Sequence, residues 1–201
     1  IRVFLTVKGL RVKSPPTIRG AGQIIRLVGE YQKRTFVMKC SYAFLAAPLS
    51  SLPKSYGING VKKQVTPYVY MDKEIVYRNK GVMLRESALR DIATELGEDF
   101  PEFMTNAEAV DGCLSDTTID LYLYQKYYCE QDVTVLRLAF TKFRNVMTEL
   151  LGPNYDPVNF CTITSVGHRY LQDKQCYSGL FKLTQAPRIF IQRSVIGGRT
   201  T

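Results

Sequence analysis

The feature that most constrains this chain is an apolar stripe from Glu130 to Leu151. Val133, Leu136, Phe140, Phe143, Met147 and Leu150 recur at steps of three or four, and Gly152-Pro153 ends the run. That spacing predicts the strongest helix in the sequence. At its head, in "YYCEQDVTVLRLAF", stand Tyr128 and Asp132, four apart and so on one helix face. A carboxylate there can hold a hard cation through oxygen, and a phenol one turn away can aim a metal-bound water. The pair alone is weak evidence, because Tyr68 and Asp72 match the same spacing, and solvated polar residues at a helix end explain it better.

The rest of the chain reads as mixed α/β. Residues 1–8, "IRVFLTVK", are β-branched and lean to strand, although Lys8-Gly9 also fits a helix C-terminus. Residues 23–45 predict two strands joined by a polar turn near Gln32 and Lys33. A short helix is expected from Ser50, and a longer one over 83–96, where Leu84, Ala88, Ile92 and Leu96 share a face and Gly97 supplies a stop. Residues 100–116 read as a loop with a helical turn. The segment "TTIDLYLYQKYYC" is open between strand and helix, its lack of Gly and Pro favouring helix. A loop and then a helix through His168 follow, and residues 190–201 read as a strand or loop with a glycine hinge.

Composition narrows the function classes. The net charge is +9, which suits a polyanionic partner such as nucleic acid. The five cysteines, Cys40, Cys113, Cys129, Cys161 and Cys176, form no zinc-knuckle spacing and read as reduced, mostly buried thiols of an intracellular protein. With His168 the one histidine, a histidine-rich metal site is excluded. No apolar run reaches the ~18 residues of a membrane span. The chain begins at Ile1 and stops just after a Gly-Gly pair, and a fragment of a longer protein is expected.

Other residues carry possible phosphate chemistry. Ser41 and the lysines Lys62 and Lys63 are residue types that commonly contact phosphate, and a plain solvated surface loop explains the segment equally. Gly197 and Gly198 beside Arg199 could let backbone approach a phosphate, or form a plain turn. Tyr122, Tyr124, Tyr127 and Tyr128 could stack bases, but such residues more often fill cores.

Taken in order, four segments resemble the protein-primed family B DNA polymerases of bacteriophages, adenoviruses, linear plasmids and virus-derived transposons. "FVMKCSYAFLAAPLSSLPKSYGI" is similar to the segment where a strand ends in Asp-Ser and enters a Leu-rich stretch. Lys62-Lys63-Gln64-Val65 resembles the Lys-x-x-hydrophobic motif. "YYCEQDVTVLRLAFTKF" resembles the third exonuclease motif, Tyr-x-x-x-Asp, and "SVIGGRT" the Tyr-x-Gly-Gly motif between exonuclease and polymerase domains. The resemblance covers residues 18–201. It implies a ribonuclease H-like 3′-5′ exonuclease domain, present in part over 1–188 as a mixed sheet with flanking helices. Residues 189–201 would be a linker and the start of the polymerase domain.

The resemblance also implies roles. Asp132 would bind metal, Tyr128 would orient the attacking water, and Lys62 would assist near the scissile phosphate. Ser41 and Tyr42 would hold the single-stranded 3′ end; Gly197, Gly198 and Arg199 would help pass the primer between sites. The cofactor is Mg²⁺ in a two-metal site, incomplete here. Partners are single-stranded and primer–template DNA, a terminal priming protein and, in the full-length parent, dNTPs. The location would be intracellular, with no membrane.

Departures from the pattern are specific. Cys40 stands where the family has Asp, Tyr42 where it commonly has Leu, and Val195 where it has Tyr. The first and second exonuclease motifs and the polymerase aspartates are not found, so the isolated chain is expected to be inactive. The competing expectations are a non-catalytic remnant that binds single-stranded DNA or a priming protein, and an unrelated basic nucleic-acid-binding domain.

Overall fold

A computed structural model describes residues 8–20, 22–70, 81–180 and 185–194. Residues 1–7, Asp72, Val195, Gly197, Gly198 and Arg199 lie outside it, and with them the expectations placed there. The first sheet is built on β3 (Gln23–Tyr31), whose alternation turns Ile25, Leu27 and Gly29 inward. β4 (Arg34–Lys39) pairs with it antiparallel, from Arg26↔Lys39 to Tyr31↔Arg34. The two residues between them, Gln32 and Lys33, have φ of 49° and 64°. A two-residue hairpin needs that left-handed pair to match strand twist, so the polar turn expected here is present. β1 (Arg11–Val12) and β2 (Thr17–Arg19) pair antiparallel with opposite ends of β3, on the edge that β4 leaves free.

After the sheet come two short helices, α1 (Tyr42–Leu45) and α2 (Leu52–Ser55), the latter led by a 3-10 turn at Leu49–Ser51. β5 (Val82–Leu84) and β6 (Thr118–Asp120) form a second, two-stranded antiparallel sheet. Every strand pairing among the described residues is antiparallel, where a mixed sheet was expected. Between β5 and β6 lie α3 (Arg85–Leu96) and α4 (Phe100–Ala109). The latter corrects the loop expected over 100–116. Pro101 fits the first turn, where its missing N–H costs nothing, and Phe103 and Ala107, four apart, are both fully buried.

α5 (Leu121–Leu151) is the spine, 31 residues and about 46 Å long at 1.5 Å per residue. Asp120 starts it by accepting the Tyr122 and Leu123 amides at 2.9 and 3.2 Å. Its first turns close one core cluster, with Tyr124 against Phe103 of α4 and Ile92 of α3. Its later turns close a second, with Ala139 and Phe143 against Phe44 of α1, Leu52 of α2 and Ile25 of β3. α6 (Ile163–Asp173) carries His168 as expected, its Nδ1 3.1 Å from the Tyr177 hydroxyl. α7 (Gln185–Ser194) is helical through Phe190–Ser194, where a strand or loop was expected, and it runs across the 188/189 boundary.

Two carboxylates tie the C-terminal half together. Asp156 takes the Arg144 Nε–H, shared between its two oxygens, and an Nη2–H, and also accepts the Val158 amide. Asp173 accepts Arg169 and the Tyr155 hydroxyl. The hydrogen bonds from Arg144 hold the Asp156 carboxyl below its ordinary range, and those from Arg169 and Tyr155 do the same for Asp173. A carboxylate with a depressed folded pKa stabilises above its unfolded value of about 3.9 and loses that contribution as pH falls through the folded value. Thermal melts should therefore hold steady down to about pH 4 and drop below it. Asp156→Asn should flatten that drop, and an unchanged acid limb in the variant would remove Asp156 from the explanation.

Candidate functional site

α5 carries Tyr128 and Asp132 through the gap between the two core clusters, just beyond Tyr124 and before Ala139. Tyr128 is half-buried and packs on the first cluster. Asp132 is half-buried too, but its Oδ1 is shielded from solvent and has no hydrogen-bond partner. An ionised carboxylate can only accept, and a buried unpaired acceptor costs about 1–3 kcal/mol. Such an oxygen fits a hard cation such as Mg²⁺, which takes oxygen ligands and keeps waters. It supplies one ligand; among the described residues no three His, Cys, Asp or Glu side chains converge on a metal position.

The lysine beside this pair is Lys63. Its ammonium lies 5.2 Å from the centre of the Tyr128 ring. Burial weakens its charge, but the Tyr128 hydroxyl, Tyr68 and Asp132 outweigh that and raise its pKa overall. Burial and Asp132 push the Tyr128 hydroxyl up, with Lys63 pulling the other way. Lys63, Tyr128 and Asp132 thus form one coupled row. Lys62 is engaged elsewhere, in a 2.7 Å ion pair with Glu102 of α4.

A strap over residues 64–66 sets this arrangement. Asn106 donates to the Gln64 side chain at 2.9 Å, the Tyr124 hydroxyl to the Val65 carbonyl at 2.5 Å, and Gln125 to the Thr66 hydroxyl at 2.9 Å. Two helices therefore fix the backbone that follows Lys63. Tyr124 is fully buried and its phenol is held far above its ordinary pKa by desolvation, so it is core and anchor and not a base-stacking surface. Tyr122 is 44% exposed.

Ser41 sits at the junction of β4 and α1, its hydroxyl making no cap bond to the helix. It lines two depressions. One, shared with Tyr42, runs over Leu45, Leu49 and Leu136; Tyr42 is 58% exposed. The other is a groove of about 810 Å³ between the first sheet and α5. The structure thus brings Tyr128, Asp132 and Lys63 together and sets Ser41 and Tyr42 beside one another on a separate patch. Sequence reasoning named both Lys62 and Lys63 as phosphate contacts and gave the assisting role to Lys62; the structure places Lys63 beside Tyr128, and adjacent lysines cannot be separated by spacing. The available signal was the strap's Gln64, Val65 and Thr66, which fix the register only once α4 and α5 are in place.

Among the described residues no helix is long and apolar enough to cross a membrane. No curated protein and no solved structure matches the chain. The family model for organellar and viral type B DNA polymerases matches residues 8–201, which takes in both cores, the strap, the Tyr128–Asp132 helix and Ser41. With the match spanning nearly the whole sequence, and in agreement with the motif order, the chain belongs to the type B DNA polymerases of organelles and viruses.

Proposed function

We propose that the chain is the later part of a ribonuclease H-like 3′-5′ proofreading domain of a protein-primed DNA polymerase, with Lys63, Tyr128 and Asp132 forming one corner of the nuclease site. The observation that carries this is the buried, unpaired Asp132 Oδ1 in a row with a phenol and an ammonium. Bound Mg²⁺ ions would activate the attacking water and stabilise the leaving oxygen. Asp132 would hold one of them. Tyr128, one turn earlier, would accept or donate a hydrogen bond to the incoming water and set its line of attack. The Lys63 ammonium would meet the non-bridging oxygens of the scissile phosphate as charge builds there. The role assigned by resemblance to Lys62 passes to its neighbour, since the Lys62 charge is already satisfied by Glu102. Ser41, Tyr42, Gly197, Gly198 and Arg199 keep their proposed DNA contacts. Because one carboxylate cannot hold two ions, catalysis requires ligands beyond these, and the isolated chain would bind without cutting.

The test uses a polypeptide carrying the flanking motifs, a 3′-labelled single strand and Mg²⁺. Lys63→Gln should slow degradation by roughly 100-fold, as loss of one donor to a developing charge does. Lys62→Gln breaks an exposed ion pair worth at most about 1 kcal/mol and should stay within about twofold. The reverse ranking would return the role to Lys62, and equal, small effects would sink the lysine assignment.

A further inference from the structure

α3 presents two carboxylates, four residues apart on one helix face, to the segment that follows the strap. Glu95 accepts the Tyr68 amide at 2.8 Å on one oxygen and the Val69 amide at 2.9 Å on the other. Asp91, one turn earlier, accepts the Tyr70 hydroxyl. Docking of α3 does not require Glu95, because Ala88 and Ile92 already bury the helix in the first core cluster. Nor do the two amides require it, since Tyr68 and Val69 are 63% and 47% exposed and water can serve backbone there. Both oxygens of one carboxylate are thus committed to fixing where an exposed stretch of backbone lies.

What that stretch carries is Tyr68. Pro67 before it and Tyr70 after it are buried, so residues 68 and 69 bow outward between two anchors, and their amides are what Glu95 grips. Lys63, Tyr68 and Glu95 line one depression of about 430 Å³. Burial weakens the Lys63 charge, and the two phenols that favour it are Tyr128 and Tyr68. A lysine ammonium rides on a flexible four-carbon stem and is strongly hydrated. Fixing the backbone of residues 64–66 therefore does not by itself keep the Lys63 head 5.2 Å from the centre of the Tyr128 ring.

We infer that Glu95 is a positioning residue of the nuclease corner: by gripping the Tyr68 and Val69 amides it keeps the Tyr68 side chain beside Lys63, and so keeps the Lys63 ammonium beside Tyr128. The catalytic consequence rests on the nuclease reading; the geometry does not. In this role Glu95 touches neither metal nor phosphate. Its oxygens are turned to backbone N–H groups, so it competes neither with Asp132 for a cation nor with a phosphate for Lys63. The role needs two acceptor oxygens on a side chain long enough to reach from α3. Glutamine fails the first requirement, having one carbonyl oxygen beside a donor, and alanine fails both.

The test follows the Lys63 head group by NMR in the 201-residue chain, its lysines carrying isotope-labelled dimethyl groups, which keep the charge. The Tyr128 ring shifts the Lys63 signal away from those of exposed lysines, and Lys63→Arg identifies it by its loss. Glu95→Ala should move that signal most of the way to the exposed-lysine position. Glu95→Gln, which keeps the length and one acceptor, should move it less, and keeps the test readable if the alanine variant fails to fold. Asp91→Asn disturbs the same helix face without touching the two amides and should leave the signal in place. In the polypeptide with the flanking motifs, Glu95→Ala should lower kcat for 3′-5′ degradation about tenfold with KM within about twofold, as misplacement of a catalytic group does. It should add at most about twofold to Lys63→Gln, because it acts through that lysine. An unmoved Lys63 signal in Glu95→Ala, an equal move in Asp91→Asn, or losses that multiply in Glu95→Ala/Lys63→Gln would each overturn the role. Failure of the nuclease reading would show separately, as metal-dependent degradation that survives Asp132→Ala while the Lys63 signal still follows Glu95.

Discussion

Asp132→Ala, in a polypeptide with the flanking motifs, should cut metal-dependent 3′-5′ degradation by at least ~100-fold while leaving the melting temperature unchanged or raising it. The two effects have opposite signs for one physical reason. The Oδ1 of Asp132 is buried without a partner, an unpaired acceptor that costs about 1–3 kcal/mol and offsets what the carboxylate contributes through Tyr128 and Lys63. Removing it relieves that cost and opens no large hole, since alanine is a strong helix former at a mid-helix position. Stability lost together with activity would mark Asp132 as a structural group. Degradation undiminished in a stable variant would remove it from the nuclease site.

The same reasoning explains what was legible in the sequence. Periodicity gave the later part of α5 and its end at Gly152, because a stripe at three and four is visible without tertiary context. It gave the hairpin of β3 and β4 for the matching reason, alternation either side of a polar turn. The start of α5 was less visible. Thr118–Asp120 pairs with Val82–Leu84, a partner 36 residues away in sequence, and only that pairing turns an apolar stretch into a strand before the helix begins. α4 was read as loop because its polar residues hide a narrow buried stripe of Phe103 and Ala107. The site divides along the same line. Tyr128 and Asp132 share a local helical face, which spacing shows. The placement of Lys63 beside Tyr128, with Lys62 paired to Glu102, depends on Glu102, Asn106, Tyr124 and Gln125, all more than 35 residues downstream.

That dependence on long-range docking makes the start of α5 the most sensitive point in the structure. Gly81 lies against it: the Leu121 amide donates to the Gly81 carbonyl at 2.7 Å, and Val82, next in the chain, pairs with Asp120. Gly81 has φ of +71°, and a Cβ there would lie 2.2 Å from the Tyr122 backbone nitrogen and 2.6 Å from its Cβ. Neither obstacle is a flexible side-chain tip. Gly81→Ala therefore combines a left-handed backbone cost of about 1–2 kcal/mol with a clash that only displacement of α5 or β5 can relieve. The expected loss is about 3–5 kcal/mol, the range of severe single substitutions, read as a large fall in denaturant midpoint. Gly97→Ala is the control. Gly97 also has positive φ, at +52°, but nothing lies within 4 Å of its would-be Cβ, so it should lose only the backbone part, the cost of an alanine at φ 52° and ψ −116°. If the two variants melt alike, the contact between Gly81 and Tyr122 does not set the register of α5. The placement of Tyr128 and Asp132 would then rest on the core clusters alone.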